Sequence, residues 1–317
     1  MTQTAERIQS INRLKRDVYR EYGFYYYVPM AEAYTVQVPV TVGCSYNKCL
    51  YCELNQGRKF RELSLEEITG HVENLRVINE GRKSKRFLLA GGNPFVLSTE
   101  KLLRISDVIH KNFPDCEYIS SFSRADDITR KTTDELDMLR SAGYDRLCIG
   151  IESGSDDVLA FQNKGVTRAD NLKAMNMLDN AGMKYSVYIM LGLGGQKMSE
   201  SHVNETASLL NMSNPFELTV VTLVIFKGAG LIERIKSHDF LRMHPFDALK
   251  EGRKLLSLID ISTIWDATHK TNIFPVKGKI PEHKERLLQR IDDVIAEIES
   301  TDLKQYELKR WRKWGTE

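Results

Sequence analysis

Leu139-Arg-Ser-Ala-Gly143-Tyr-Asp-Arg-Leu-Cys-Ile-Gly150 and Leu178-Asp-Asn-Ala-Gly182-Met-Lys-Tyr-Ser-Val-Tyr-Ile-Met190 follow one plan. An apolar helix face ends, a glycine follows, and an apolar run begins, as expected of a helix closed by a glycine cap that leads straight into a strand. Working outward, the same rhythm gives six candidate strands: Tyr34 to Thr41, Arg86 to Ala90, Tyr118 to Ser121, Arg146 to Gly150, Tyr185 to Met190 and Glu217 to Val224. Between them lie helical patterns, and Ser64-Leu-Glu-Glu67 and Thr132-Thr-Asp-Glu135 fit the capping box that opens a helix. Strands alternating with helices predict repeated β-α units on a parallel sheet. In such a sheet ligands gather at the C-terminal strand ends, where the loops converge and helix N-termini point inward.

The chain has 317 residues, enough for one large α/β domain or a barrel-like core with a terminal lobe. Its 45 Lys and Arg against 43 Asp and Glu leave a net charge of +2, too small a field to imply nucleic acid or an anionic membrane as partner. The longest apolar stretch, Ser186 to Gly195, is about half a bilayer span and is interrupted by glycine, so it reads as a buried strand. The opening Met1-Thr-Gln-Thr-Ala-Glu-Arg lacks the pattern of a secretory signal, and the expected location is cytoplasmic.

Three of the five cysteines fall in Gly43-Cys44-Ser-Tyr-Asn-Lys-Cys49-Leu-Tyr51-Cys52, directly after the first strand. That crowding suits metal ligation in a reducing compartment better than disulfides. Three thiolates on one loop can bind three irons of a cubane cluster and leave the fourth open. The same residues are compatible with a zinc site completed by a partner such as His71, or with three buried cysteines acting as small hydrophobes.

Several ordered motifs between about residues 34 and 230 resemble the radical S-adenosylmethionine (SAM) superfamily, in the branch of the B12-type and coproporphyrinogen-oxidase-type proteins, without a cobalamin domain. An aromatic residue, here Tyr51, is typical before the last cysteine, whereas the first gap holds four residues instead of the usual three. Leu89-Ala-Gly91-Gly92-Asn93-Pro94 looks like the glycine motif that binds the SAM amino group through free backbone carbonyls, with Asn93 where an acid is common. Ser123 and Arg124 stand where family members contact the ribose or the SAM carboxylate, and a turn with a helix cap from Asp126 or Asp127 fits them equally. Gly150-Ile-Glu152-Ser153-Gly154 resembles the pattern whose acid accepts from the ribose. Lys164 is matched by a carboxylate partner or by a solvated loop. Ile189 and Gly192 lie in what looks like the adenine-side motif, and a core strand ending in a flexible turn reads the same.

The resemblance implies a partial (β/α)6 TIM-like barrel, open on one side, with an N-terminal helix and a C-terminal helical extension. Residues 1–33 would form the helical segment, on the spacing of Ile8, Ile11, Leu14 and Val18; residues 34–234 the barrel; and residues 235–317 the cover. In the last segment a helix near Phe246 to Leu258, an irregular stretch from Asp260 to Lys279 and a long charged helix from Pro281 to about Leu308 are expected. The implied cofactors are a 4Fe-4S cluster on Cys44, Cys49 and Cys52 and S-adenosylmethionine, with an external one-electron reductant of flavodoxin or ferredoxin type and an unidentified organic substrate. His269, in the polar run Asp266-Ala-Thr-His269-Lys270-Thr-Asn272, is the candidate for substrate contact or proton transfer, against a structural histidine. Cys116 and Cys148 are too far apart for a second cluster, and Arg310-Trp-Arg-Lys-Trp314 reads as a docked or solvated tail. The alternative from another class is an iron-sulfur or zinc scaffold, or a carrier, on the same fold without SAM cleavage.

Overall fold

The computed structural model describes Val28, Glu32 and residues 34–79 and 83–300; the expected N-terminal helix and the Arg310 to Trp314 tail lie outside them. The chain begins with β1 (Val36–Pro39), then a small antiparallel ribbon of β2 (Thr41–Val42) and β3 (Arg61–Glu62). From there it alternates: α1 (Leu65–Ile78), β4 (Arg86–Ala90), α2 (Thr99–Asn112), β5 (Tyr118–Ser123), α3 (Ala125–Thr129), α4 (Thr133–Ser141) and β6 (Leu147–Glu152). There follow α5 (Asp156–Phe161), α6 (Arg168–Ala181), β7 (Tyr185–Leu191), α7 (Ser199–Leu210) and β8 (Glu217–Thr222). The chain continues through α8 (Leu231–Lys236), α9 (Pro245–Leu258), β9 (Thr263–Asp266), β10 (Lys277–Ile280) and α10 (Lys284–Ser300).

Strand order in the main sheet is β1-β4-β5-β6-β7-β8-β9-β10, parallel throughout except for the last pair. The six expected strands are all present, in a partial barrel that stays open between β1 and β10. The stretch from Asp260 to Lys279, expected to be irregular, instead supplies β9 and β10. β9 pairs in parallel with β8, Leu218 facing Trp265, and β10 turns back along it. The C-terminal segment therefore extends the sheet rather than only covering it.

The helices start and stop for local reasons. Ser64 and Thr132 close capping boxes with Glu67 and Glu135, and Gly182 ends α6 at φ +63°, a left-handed position that favours glycine. Alternate strand residues then sort onto two faces. Val187, Ile189 and Leu191 join the core beneath the helices, with Val203, Ala207 and Leu210 of α7 and Leu255 of α9. Tyr188 and Met190 face the barrel lumen, where the Tyr188 ring lies 6.1 Å from that of Phe122.

If β9 is an integral strand, its Trp265, only 1 % exposed, is a core residue. Trp265→Ala is expected to lower stability by about 3–5 kcal/mol, read from the urea midpoint. Met212→Ala, at a 56 % exposed position, should stay within about 0.5 kcal/mol of the wild type.

Candidate active site

The three clustered cysteines sit on the loop between β2 and β3, so the small ribbon clamps both ends of that loop to the top of β1. All three are free thiols and partly exposed. The glycine turn after β4 lies directly against them, with Gly92 N–H donating to the Gly43 carbonyl at 3.0 Å. A Cβ on Gly92 would come within 2.6 Å of that carbonyl oxygen and 2.7 Å of Cys44 Cα, so only glycine permits the approach. Asn93, buried beside it, accepts from Ser45 N–H at 3.1 Å and donates to Ser45 Oγ at 2.8 Å and Asp127 Oδ2 at 2.7 Å. Both of its amide hydrogens are thus engaged in tying the cysteine loop to α3.

The extra residue in the first cysteine gap is built in. Asn47 takes a left-handed φ of +49° and its amide donates to the Asn55 carbonyl at 2.8 Å. Tyr46 reaches across the mouth of the barrel: its hydroxyl donates to the Asn163 carbonyl at 2.8 Å and its ring lies 4.0 Å from the Arg124 guanidinium. Arg124 also donates from Nε to Asp126 at 2.9 Å and from Nη2 to the Lys164 carbonyl at 2.9 Å, leaving Nη1 as its free end in these contacts. Ser123 is buried and donates to the Arg124 carbonyl at 2.9 Å.

Glu152 ends β6 at a left-handed φ of +62°, where the pairing with β7 shifts register. A non-glycine residue held there stores about 1–3 kcal/mol of strain and marks a constrained site. Its carboxylate receives Lys164 Nζ at 3.1 Å, and the same ammonium donates to Tyr51 Oη at 3.3 Å. Of the two sequence readings of Lys164, the carboxylate partner is the one found, and the pair is buried. Gly150 makes room for it, since a Cβ there would lie 2.5 Å from Glu152 Oε1. Burial, then the nearby Glu152 and Cys49, hold the Tyr51 phenol protonated well above its ordinary range.

The far side of the cysteine loop rests on an apolar wall: Cys49, Leu50 and Cys52 pack with Tyr51, Val158, Leu193, Leu231 and Phe240. Leu50 N–H donates to Gln162 at 2.9 Å, Leu231 N–H to Leu50 at 2.8 Å, and Gly228 N–H to Glu53 Oε2 at 2.7 Å. The segment after β8 thereby meets the cysteine loop. Burial pushes the Cys52 thiol up to about 11, so it keeps its proton unless a cation replaces it.

The superfamily profile for radical SAM proteins matches residues 38–210, more than half of the chain. The chain belongs to the radical SAM superfamily. It is a radical SAM enzyme on that membership, with a 4Fe-4S cluster and SAM as cofactors. It is 25 % identical over 227 residues to an uncharacterized protein of Methanocaldococcus jannaschii, covering 68 % of this chain and 69 % of that one. It is 25 % identical over 169 residues to the heme chaperone HemW of Bacillus subtilis, 51 % of this chain and 44 % of that protein. Among solved structures it resembles coproporphyrinogen III oxidase (HemN) from Escherichia coli, with a TM-score of 0.55 at 19 % identity over 70 % of this chain and 52 % of that one. Methylornithine synthase (PylB) gives 0.52 at 13 % identity over 83 % and 71 %. These structural likenesses show the fold. The chain spans less than half of HemW and about half of HemN.

The donor set fits the superfamily's cluster. Among the described residues no three His, Cys, Asp or Glu side chains are gathered about a point as ligands of one ion. Three free, partly exposed thiols on one loop are the donor set that three irons of a cubane take. His71 is buried on α1, on the same face as Ile68, Val72 and Leu75.

Two expected contacts lie after β7. Ile189 is fully buried in the helix-side core, so its side chain does not reach the lumen and only its backbone is at hand for a ligand. Gly192 turns the chain at φ +77°, and its N–H donates to Glu251 Oε1 at 2.6 Å. Glu251, on α9, also accepts from the Ser199 hydroxyl; burial raises its carboxyl to about 7, these two bonds opposing the rise. His202 on α7 shares a 2.8 Å hydrogen bond with Ser153 Oγ, and burial drives its imidazole down to about 4, so it is neutral. Neither residue stands out in the sequence, where each occupies one position of an amphipathic helix with no motif around it.

His269 lies in the loop leaving β9, at the C-terminal end of the sheet as expected, and its Nδ1 hydrogen bonds with Thr271 Oγ1 at 2.8 Å. That loop is fixed to the end of β8 through Thr222, which donates to Thr271 and Asn272 at 3.1 and 2.8 Å. Burial, then Lys270, lowers the His269 pKa. Cys148 is buried on the lumen face of β6, and burial raises its thiol to about 12.

Lys164→Met strands the Glu152 carboxylate and should cost about 3–5 kcal/mol in urea unfolding. The double change Glu152→Gln with Lys164→Met should recover most of that loss. For Glu251, the unfolded carboxyl ionises near 4.5 while the folded one keeps its proton to about 7. The wild type therefore loses stability as pH rises between those values, because the unfolded state gives up the proton first. Relative to wild type, Glu251→Gln should gain unfolding free energy from about pH 4.5 to 7 and be level on either side, measured by urea titrations across that range.

Proposed function

We propose that Cys44, Cys49 and Cys52 are the protein ligands of the 4Fe-4S cluster and that SAM lies against the loops these residues share. The observation that carries the reading is the convergence of three motifs, far apart in sequence, on the one cysteine loop: Gly92 against Cys44, Arg124 against Tyr46, and Glu152 linked to Tyr51 through Lys164. With SAM bound, the reduced cluster supplies one-electron cleavage of the sulfonium to a 5′-deoxyadenosyl radical, which acts on an organic substrate.

The chain's own residues take complementary parts in this reading. The Gly91 and Gly92 turn offers carbonyls to the SAM ammonium without a side chain in the way, while Asn93 holds that turn to Ser45. Arg124 presents its free Nη1 to the carboxylate, and Ser123 fixes the backbone from which Arg124 projects. Glu152, held in place by its bond to Lys164, accepts from the ribose hydroxyls. The backbone at Ile189 and the turn at Gly192 flank the adenine. His269, on the loop bound to Thr222, faces the substrate side and serves in contact or proton transfer.

Residues 34–234 carry this chemistry, and the described segment from residue 235 onward adds β9 and β10 to the same sheet. The reductant is a protein of flavodoxin or ferredoxin type, and the enzyme works in the cytoplasm. Among the described residues no helix is long and apolar enough to cross a membrane.

The deciding experiment is anaerobic reconstitution with iron and sulfide, followed by dithionite and SAM, with 5′-deoxyadenosine followed by chromatography beside Cys44→Ala, Cys49→Ala and Cys52→Ala proteins. The wild type alone should load iron and form 5′-deoxyadenosine. A cluster that forms without SAM cleavage would favour a carrier role, the kind of activity that the name of the HemW relative describes. Zinc in place of iron would sink the ligand assignment.

A further inference from the structure

Two turns at the mouth of the barrel flank the proposed nucleoside site, residues 152–155 after β6 and residues 192–195 after β7. The sheet secures neither, because strand pairing stops at Glu152 and at Leu191. Side chains secure them instead: Gln162 donates to the Leu193 carbonyl at 2.8 Å and Arg168 to the Gly154 carbonyl at 3.3 Å, and two buried groups, Glu251 and His202, hold them from behind. Glu251, 4 % exposed on α9, accepts from Gly192 N–H at 2.6 Å with one oxygen and from the Ser199 hydroxyl with the other. His202 is fully buried on α7, its Nε2 3.8 Å from that first carboxylate oxygen and its Nδ1 2.8 Å from Ser153 Oγ. Ser153 Oγ in turn accepts from Ser155 N–H at 3.0 Å. Thr206, one turn beyond His202, accepts from Gly154 N–H at 2.8 Å, where a Cβ would strike the α7 backbone.

A carboxylate and an imidazole sealed between two helices and a sheet are unfavourable unless they are bonded, and apolar side chains would fill that space at lower cost. What apolar side chains would not supply are the hydrogen bonds to the two turns. Both groups lie behind the backbone they hold, so they meet no ligand directly and act only through the position of that backbone.

We propose that Glu251 and His202 are positioning residues for the nucleoside of SAM: Glu251 sets the Gly192 turn, His202 sets the Ser153 turn, and the C-terminal segment thereby completes the cofactor pocket. The proposal rests on the reading that Glu152 and Gly192 flank SAM. The ligand class is a purine nucleoside carried on a sulfonium, and the two helices α7 and α9 fix the gap it enters.

The test compares wild type, Glu251→Ala, Glu251→Gln and His202→Ala after anaerobic reconstitution, reading iron content, SAM affinity by equilibrium dialysis, and KM for SAM against kcat for 5′-deoxyadenosine formation. Glu251→Ala and His202→Ala are expected to load iron as the wild type does and to bind SAM on the order of tenfold more weakly, with the loss in KM more than in kcat, as for the removal of a bond to a charged or buried group. Glu251→Gln keeps an oxygen for Gly192 N–H and is expected to bind SAM within about threefold of wild type. Unchanged SAM affinity in both alanine variants would overturn the proposal and leave the function of the chain intact. Loss of iron from both of them, or failure of glutamine to restore affinity, would overturn it too, by making these side chains no more than parts of the core. A wild type that loads iron and binds no SAM would sink the reading beneath it instead.

Discussion

An ammonium and a carboxylate kept out of water at the top of the barrel set the terms for everything around them. Lys164 and Glu152 can be buried there only while each satisfies the other, because either one alone would be a costly uncompensated charge. Their bond dictates glycine at position 150 and holds Glu152 in a left-handed backbone that an ordinary strand end would not adopt. It also fixes where the Lys164 main chain runs, and from there the constraint passes on. Arg124 donates to the Lys164 carbonyl, Tyr46 lies on Arg124, and Tyr46 bonds the Asn163 carbonyl. A second path runs from Ser45 through Asn93 to Asp127. Two independent paths thus tie the cysteine loop to the strand ends, and the loop needs both because its thiols sit on irregular backbone with few ladder bonds of its own.

The β-α rhythm was readable because it rests on local chemistry: capping boxes at Ser64 and Thr132, and a glycine C-cap at Gly182 that no other residue would adopt as cheaply. The cysteines and the glycine turn were readable because their spacing is dense and their strand context is plain. β9 and β10 were not, since each has only four residues, and neither Thr263–Asp266 nor Lys277–Ile280 shows a strand pattern long enough to stand on its own. They are strands because the edge of β8 offers them partners. The buried pair Glu251 and His202 was hidden for a related reason. A charged residue within a helix normally faces water, and only the packing of α9 on α7 and the end of β7 reveals a helix face turned inward at that point. Lys164 stood between two readings because its sequence context is a loop, and whether a loop lysine is solvated or paired depends on what the fold carries opposite it.

The distribution of polarity inside the barrel argues for chemistry at one end. At the floor, Lys277 of β10 pairs with both Asp266 and Glu217, and Glu32 is buried close by with its carboxyl raised to about 7 by desolvation against the pull of Arg86 and Arg146. Lys277, Asp266 and Glu217 are thus paired with one another at that end. Higher up, the lumen is lined by Phe122, Tyr188 and Met190, residues without an ionisable proton at neutral pH. The mouth itself is polar, with Glu152, Lys164, Arg124 and the loop bearing His269. A reactive species formed beside the cysteine loop would thus meet the Phe122 and Tyr188 rings below it and charged partners at the level of the strand ends. The segment after β8 meets the cysteine loop at that same level, through Leu231 N–H on the Leu50 carbonyl. The loop that β9 supplies carries His269 to that mouth, and this gives the C-terminal strands a reason to be part of the sheet and not an appendage to it.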